Sequence, residues 1–258
     1  MTDENNQKYK NGIIRFYGDD NWALLIGYKN KKEEDVKQDG ILTVLPKTRV
    51  VMHDHLLLNY NPDFNFINAE CNGYTKRYLK RNMEILPSHT WENKMWELLI
   101  LTSVDKQKKI ANEPETFRFT EEKLKEISDS YDSIIQLVYS ENDSCTLNYI
   151  QDKLDELKLI KRPEKFKANH LLFAYDFTVT FTNTTSERGL RQVKRKLAFP
   201  CSFKNINRMK DYAMILNYIE TCYRNGITRY QSLQRLLADN PYTVEEIKNI
   251  ITAESEKK

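Results

Sequence analysis

The chain has 258 residues, 40% hydrophobic, 30% charged and 11% aromatic, with a formal net charge of +3. That is a folded chain able to bury a core, not a disordered tail. Only 7 Gly and 7 Pro occur, where average usage gives about 18 and about 13, so folds rich in glycine loops are disfavoured and helices joined by Asn- and Asp-rich turns are favoured. In chain order, Gly12–Tyr17 and Trp22–Tyr28 read as two strands around the turn Gly18-Asp-Asp-Asn. Ile41–Leu45 and Val50–Leu58 are further strand candidates, and Lys29–Gly40 is a charged loop. Tyr74–Leu86 reads as a helix with Lys76, Arg77, Lys80 and Arg81 on the face opposite Tyr74, Tyr78 and Leu79. Thr90 is placed to cap a helix carrying Trp91, Met95, Trp96 and Leu99.

Residues 113–183 read as a third region. Thr120 opens a helix with Leu124 and Ile127 inward, and Tyr131–Tyr139 forms a second short helix. Thr146 caps a third, in which Leu147, Ile150, Leu154 and Leu157 recur at helical spacing. Leu171, Phe173, Tyr175, Phe177, Val179 and Phe181 then alternate as a strand does. From residue 184 the chain turns helical again: a basic stretch, a helix over Met209–Tyr223, and helices capped by Thr228 and Thr243. The expected regions are therefore 1–60, 61–112, 113–183 and 184–258.

No window approaches 18 consecutive apolar residues, so no membrane partner is expected. The opening MTDENNQKYK is polar and resembles neither a signal nor a transit peptide. Cys71, Cys145, Cys201 and Cys222 lie far apart with no CxxC. Neither a disulfide framework nor a zinc knuckle is expected, and a cytoplasmic setting follows.

Charge is unevenly spread. Residues 113–156 hold twelve acids against four bases, and residues 187–211 hold eight bases against two acids. Basic clusters are what a phosphate backbone attracts, and an acidic stretch suits a basic protein partner. A solvated helix face explains either one equally.

Three short helices, the last reading Thr-Leu-x-x-Ile-x-x-x-Leu-x-x-Leu-x-Leu-Ile-x-Arg, followed by a β-ribbon, resemble a winged-helix domain over Phe117–Thr182. The resemblance is to transcription regulators and replication initiators of bacteria, phages and plasmids. It implies a winged-helix-like central unit, and with the strands and helices read above the expected fold is α+β, mostly helical, with a β-rich N-terminal region. It also implies a third helix in the major groove and a ribbon on the backbone. That third helix carries Asp152, Asp155 and Glu156 against Lys153, so backbone contact falls instead to Lys161, Arg162 and Lys165 on the wing side. A second DNA-reading element is Asn72–Asn82, which looks like the turn and second helix of a helix-turn-helix. There Tyr74, Thr75, Lys76, Arg77, Lys80, Arg81 and Asn82 are candidates for phosphate or base contact. Arg188, Arg191, Lys194, Arg195 and Lys196 form a third basic candidate.

No catalytic motif is complete. Asp63, Glu70 and Lys76 lack the close Glu-x-Lys spacing of restriction-type nucleases. His53 and His55 have the spacing of metal ligands on one strand face. His53-Asp54-His55 also resembles loosely the His pair of rolling-circle replication enzymes, with Tyr149-x-x-x-Lys153 standing for their tyrosine helix. His89 and His170 join such a site only if the fold brings them together. The expectation is a protein that binds double-stranded DNA, with no cofactor, as a transcription regulator or replication initiator of a mobile element. The Met- and Leu-rich stretch of Met209, Met214, Leu216 and Ile219 suits a homodimer. The alternatives are a protein-interaction module acting through the acidic region, and a metal-dependent DNA-processing enzyme.

Overall fold

The computed structural model describes residues 13–28, 33–144, 150–198, 203 and 206–255. The expected cap Thr146, with Leu147 and Tyr149, lies outside them. The chain forms two compact units, one of residues 1–40 with 184–258 and one of residues 41–183.

In the first unit, β1 (Ile13–Gly18) and β2 (Ala23–Tyr28) form the expected antiparallel hairpin, with Ile13 opposite Tyr28 and Gly18 opposite Ala23. Asp19 builds its turn: its Oδ1 accepts the backbone N–H of Asn21 at 2.9 Å and of Trp22 at 2.8 Å. Such a side-chain turn replaces the glycine pair that most tight hairpins use. The short helix α1 (Glu33–Gln38) follows the hairpin in the chain.

The second unit begins with turns over residues 41–48, where a strand was expected. β3 (Val50–His53) is shorter than the expected Val50–Leu58 run, and a 3-10 turn occupies Leu57–Tyr60. β4 (Ile67–Glu70) pairs with β3 in parallel, with His53 opposite Glu70. α2 (Asn72–Ile85) leaves directly from β4. The expected helix-turn-helix is therefore a strand–helix unit, because the segment before α2 supplies the strand β4 and not a first helix.

α3 (Trp91–Asn112) starts after Thr90, as expected, but Thr90 makes no side-chain cap. Glu141 caps from outside: its carboxylate accepts the backbone N–H of Thr90 at 2.9 Å and of Trp91 at 3.2 Å, and the Thr90 hydroxyl at 2.6 Å. A carboxylate at a helix N-terminus satisfies orphan donors and opposes the positive end of the dipole.

α4 (Glu121–Ser144) is one continuous helix where two were expected. Its buried stripe is Leu124, Ile127, Tyr131, Ile134, Ile135, Val138 and Asn142. The step from Ile127 to Tyr131 keeps the helical period, so the polar Ser128-Asp-Ser segment simply faces outward. α5 (Ile150–Lys165) ends just after Pro163, and α6 (Lys167–Tyr175) follows at once. The strand expected from residue 170 is thus a helix as far as Tyr175. Its buried residues are His170, Leu171, Phe173 and Ala174, the i, i+1, i+3, i+4 set of a helix face. Phe177 and Val179 do alternate into the core, but on a segment with no strand partner among the described residues. Three short helices and a ribbon are not what the described residues of this stretch form.

Within the second unit the core gathers Trp91, Met95 and Leu99 of α3, the α4 stripe, and Leu171, Phe173, Phe177 and Val179. Lys106 is buried beneath it and donates to the Val179 carbonyl at 2.6 Å.

The first unit is completed by α7 (Thr184–Gly189), α8 (Arg191–Ala198), α9 (Ile206–Arg224), α10 (Arg229–Leu237) and α11 (Val244–Ser255). Thr228 and Gln231 form a full capping box, and Thr243 with Glu246 repeats it. A Cβ on Gly189 would lie 2.4 Å from the Phe16 ring, so glycine is required by that approach.

α9 closes the open edge of β2. Asn217 accepts from Leu25 N at 2.5 Å and donates to Leu25 O at 3.1 Å, Thr221 spans N and O of Ala23 at 3.3 Å each, and Asn225 donates to Asn21 O at 2.8 Å. Four helical residues rise about 6 Å and two strand residues about 6.7 Å, so side chains at i, i+4 and i+8 meet every second strand residue. The edge is thereby blocked against pairing with another chain. Replacing Asn217 with Leu orphans both polar groups of Leu25 and is expected to cost about 2 kcal/mol, read by urea unfolding. An unchanged midpoint would remove the ladder from the account.

Among the described residues, no helix is long and apolar enough to cross a membrane.

Candidate functional site

α2 has two chemically different faces. Its buried stripe is Asn72, Thr75, Leu79 and Asn82, and its exposed face holds Lys76, Arg77, Lys80 and Arg81. The only acid on the helix is Glu84. Lys76, Lys80 and Arg81 make no ion pair among the described residues. Lys76 Nζ sits 4.8 Å from the Trp96 ring centre and Arg77 stacks 4.3 Å from Tyr74, contacts that orient a cation over an aromatic face.

The structure separates the expected contact residues. Thr75 and Asn82 are buried and bonded inward, so neither faces a duplex. Tyr74 is half-buried and lies against His55. On α5, Lys161 and Lys165 are exposed. Arg162 is not a surface cation, because its guanidinium grips Glu70, with Nη2 at 2.7 Å and Nε at 3.3 Å. In the other unit, Arg188, Arg191, Lys194 and Arg195 are exposed and Lys196 is half-buried. α8 carries Arg191, Lys194 and Arg195 on one side, with Val193 buried on the other.

Much of the acidic stretch is committed inside its own unit. Glu141 caps α3, Glu156 is fully buried, and Asp132 pairs with Lys167 at 2.6 Å. Of the hydrophobics expected to serve a homodimer, Met209 and Leu216 are buried within their unit, whereas Met214 is 65% exposed.

Two buried polar clusters lie in the second unit, both unforeseen in composition. The first stands at the carboxyl end of β3 and β4. Glu70 accepts from Tyr60 Oη at 2.7 Å and Arg162, and faces His55 Nε2 at 2.9 Å. Burial raises its pKa, but the bonds from His55, Arg162 and Tyr60 outweigh burial and hold the carboxyl well below the usual range. His170 packs its ring 5.3 Å from that of His55, and its Nδ1 faces Thr75 Oγ1 at 3.3 Å. Burial depresses His170 to about 3. His53 turns to Asn68 Oδ1 at 2.9 Å, and burial depresses it to about 4. His53 and His55 therefore do not act as a pair, because β3 ends between them and alternation stops. His55, Glu70 and His170 bring ligand-type atoms within 4.8 Å of one another. Arg162 already supplies the positive charge that Glu70 needs, which disfavours a cation there.

The second cluster joins four helices. Glu156 Oε1 accepts Asn82 Nδ2 at 2.9 Å and Trp91 Nε1 at 2.7 Å, and lies 2.8 Å from His89 Nδ1. Its Oε2 accepts Asn142 Nδ2 at 2.7 Å. Glu92 Oε1 shares the same Asn82 amide at 2.6 Å. Burial pushes the Glu92 carboxyl above its ordinary pKa.

Sequence reasoning missed Glu92 and Asn142, and it gave Glu70, Glu156 and Asn82 other roles. The available signal was a polar residue in an apolar slot: Glu156 stands four before Ile160, which is buried, while Leu154, expected inward, is 46% exposed.

Comparison with protein-family models, with curated proteins and with solved structures finds no match.

Proposed function

We propose that this chain binds double-stranded DNA through phosphate contacts, as a regulator or replication initiator of a mobile element. The observation that supports the reading most is the exposed face of α2. Four cations stand within two turns of one helix, which carries a single acid, over a buried face fixed by hydrogen bonds. A rigid cationic strip of this kind matches a phosphate backbone, whose neutralisation supplies most non-specific affinity. The exposed bases of α5 and of α7–α8 add charge of the same sign within their own units.

The test is duplex binding at several salt concentrations, with wild type beside a Lys76→Ala, Arg77→Ala, Lys80→Ala, Arg81→Ala variant. Every phosphate that a side chain no longer neutralises flattens the slope of log K on log salt by about 0.9. The variant is expected to show a slope smaller by about 3 to 4 and to forfeit most of its affinity. Binding with an unchanged slope would move the DNA surface elsewhere, and no wild-type binding at low salt would end the reading.

A metal-dependent DNA-processing enzyme is the second reading. Asp54 favours it, being exposed immediately after β3 at the carboxyl end of a parallel strand pair. In parallel sheets that end is where ligands and chemistry collect. The same binding mixtures, supplied with Mg2+ or Mn2+ and supercoiled plasmid, discriminate: nicking by wild type that is lost in Asp54→Ala supports processing, and intact plasmid supports binding alone.

A further inference from the structure

We propose that His89, Glu92 and Glu156 hold one divalent transition-metal cation, of the Zn2+ or Mn2+ class, that ties the start of α3 to α5. The three residues are buried, Glu92 and Glu156 completely. One ligand-type atom from each lies within 4.8 Å of the other two. Zn–N and Zn–O bonds of about 2.0–2.2 Å put tetrahedral ligands roughly 3.4 Å apart, so small side-chain shifts close the set.

Two observations separate this cluster from an ordinary polar core. The first is charge. No lysine or arginine pairs with Glu92 or Glu156 among the described residues, and the sole ionic partner of Glu156 there is a histidine. Two buried carboxylates whose partners are amides, an indole and an imidazole are costly without a compensating charge. A neutral imidazole, two carboxylates and a dication sum to zero. The second is an orphan atom. Glu92 Oε2 is buried with no hydrogen-bond partner, on a side chain whose other oxygen is held at 2.6 Å by Asn82. Native interiors rarely leave a carboxylate oxygen so.

The surroundings are those of a supported metal site. Asn82 and Trp91 fix Oε1 of Glu156, and Asn142 fixes Oε2. Such outer hydrogen bonds orient ligating carboxylates. One nitrogen with two carboxylate oxygens suits Zn2+ or Mn2+ and not a thiolate-seeking ion. The neighbouring His55–Glu70–His170 group differs on the decisive point, since Arg162 already neutralises its carboxylate.

The experiment uses the full chain, stripped with chelator and titrated with Zn2+ or Mn2+ by calorimetry, with thermal unfolding alongside. Wild type is expected to take up one equivalent and to gain about 5 °C or more at a hundredfold excess over Kd. Glu92→Gln keeps the shape and the Asn82 contact but removes a charged ligand, so it is expected to fold and lose both responses. His55→Gln is expected to keep them, which places the ion. Binding unaltered in Glu92→Gln would overturn the proposal. So would a wild type that takes up no equivalent and shows no shift, which would leave Glu92 as a protonated acid.

Discussion

Replacing Arg162 with Ala is expected to destabilise the second unit by about 3–5 kcal/mol, the scale for breaking a buried ion pair from one side. Glu70 has no exposed side-chain surface, and Arg162 is its only fixed cation among the described residues. Without the guanidinium, the carboxylate keeps the Tyr60 hydroxyl and the His55 ring but must protonate or draw in water. The loss comes from the stranded charge more than from the missing attraction. A cycle separates the two: Arg162→Met with Glu70→Gln removes both charges while keeping bulk, and is expected to be nearer wild type than Arg162→Ala. Urea midpoints give the comparison. Equal losses in Arg162→Ala and the double variant would assign the cost to packing, since Arg162 also lies over the Phe166 ring at 5.1 Å.

How far this arrangement was legible in the sequence depends on the element. The β1–β2 hairpin, α2, α3 and the Thr228 and Thr243 caps were readable, because local chemistry decides them: an Asx turn, a basic and an apolar face, a side-chain hydroxyl three residues before a partner. Two readings failed. Ser128-Asp-Ser separated two expected helices, although a polar segment on the outer face need not break one, and Leu171, Phe173 and Tyr175 looked like alternation. In the second case a period of 3.6 and a period of 2 share several positions, and only packing chooses between them. Tyr131 inside and Tyr175 at 40% exposure settle both in favour of helix. The buried clusters were less legible still. His53 and His55 drew attention through spacing, yet the partners that matter, Glu70, Arg162 and His170, come from three other elements. Spacing along one strand cannot report where those elements converge. The exposed α2 cations were visible at once, since a helical wheel needs no tertiary information; Thr75 and Asn82 were misassigned because polarity alone does not reveal a buried partner.

Acid should unfold the second unit early, and by a calculable slope. Burial holds His53 near 4 and His170 near 3 in the folded chain, against about 6.5 when unfolded. Between those values the unfolded state binds protons that the folded state refuses, so stability is present above about pH 6.5 and is lost as pH falls. Glu70, Arg162 and His55 face both rings. The Glu70 charge favours protonation, but burial outweighs it and the Arg162 charge acts in the same direction as burial. Each proton contributes about 1.36 kcal/mol per pH unit, so the pair is expected to cost about 4 kcal/mol by pH 5. That is a large share of the roughly 5–15 kcal/mol typical of a domain. Glu92, raised by burial, acts in the opposite sense when no cation is bound, so the wild-type curve alone is not diagnostic. The difference between wild type and His53→Gln is: the variant keeps a side chain able to reach Asn68 and removes one titrating group. Urea unfolding of both from pH 7 to pH 5 is expected to show the wild type losing about 2 kcal/mol more than the variant. Parallel curves would mean that His53 is protonated inside the fold, with Glu70 rather than burial governing the ring.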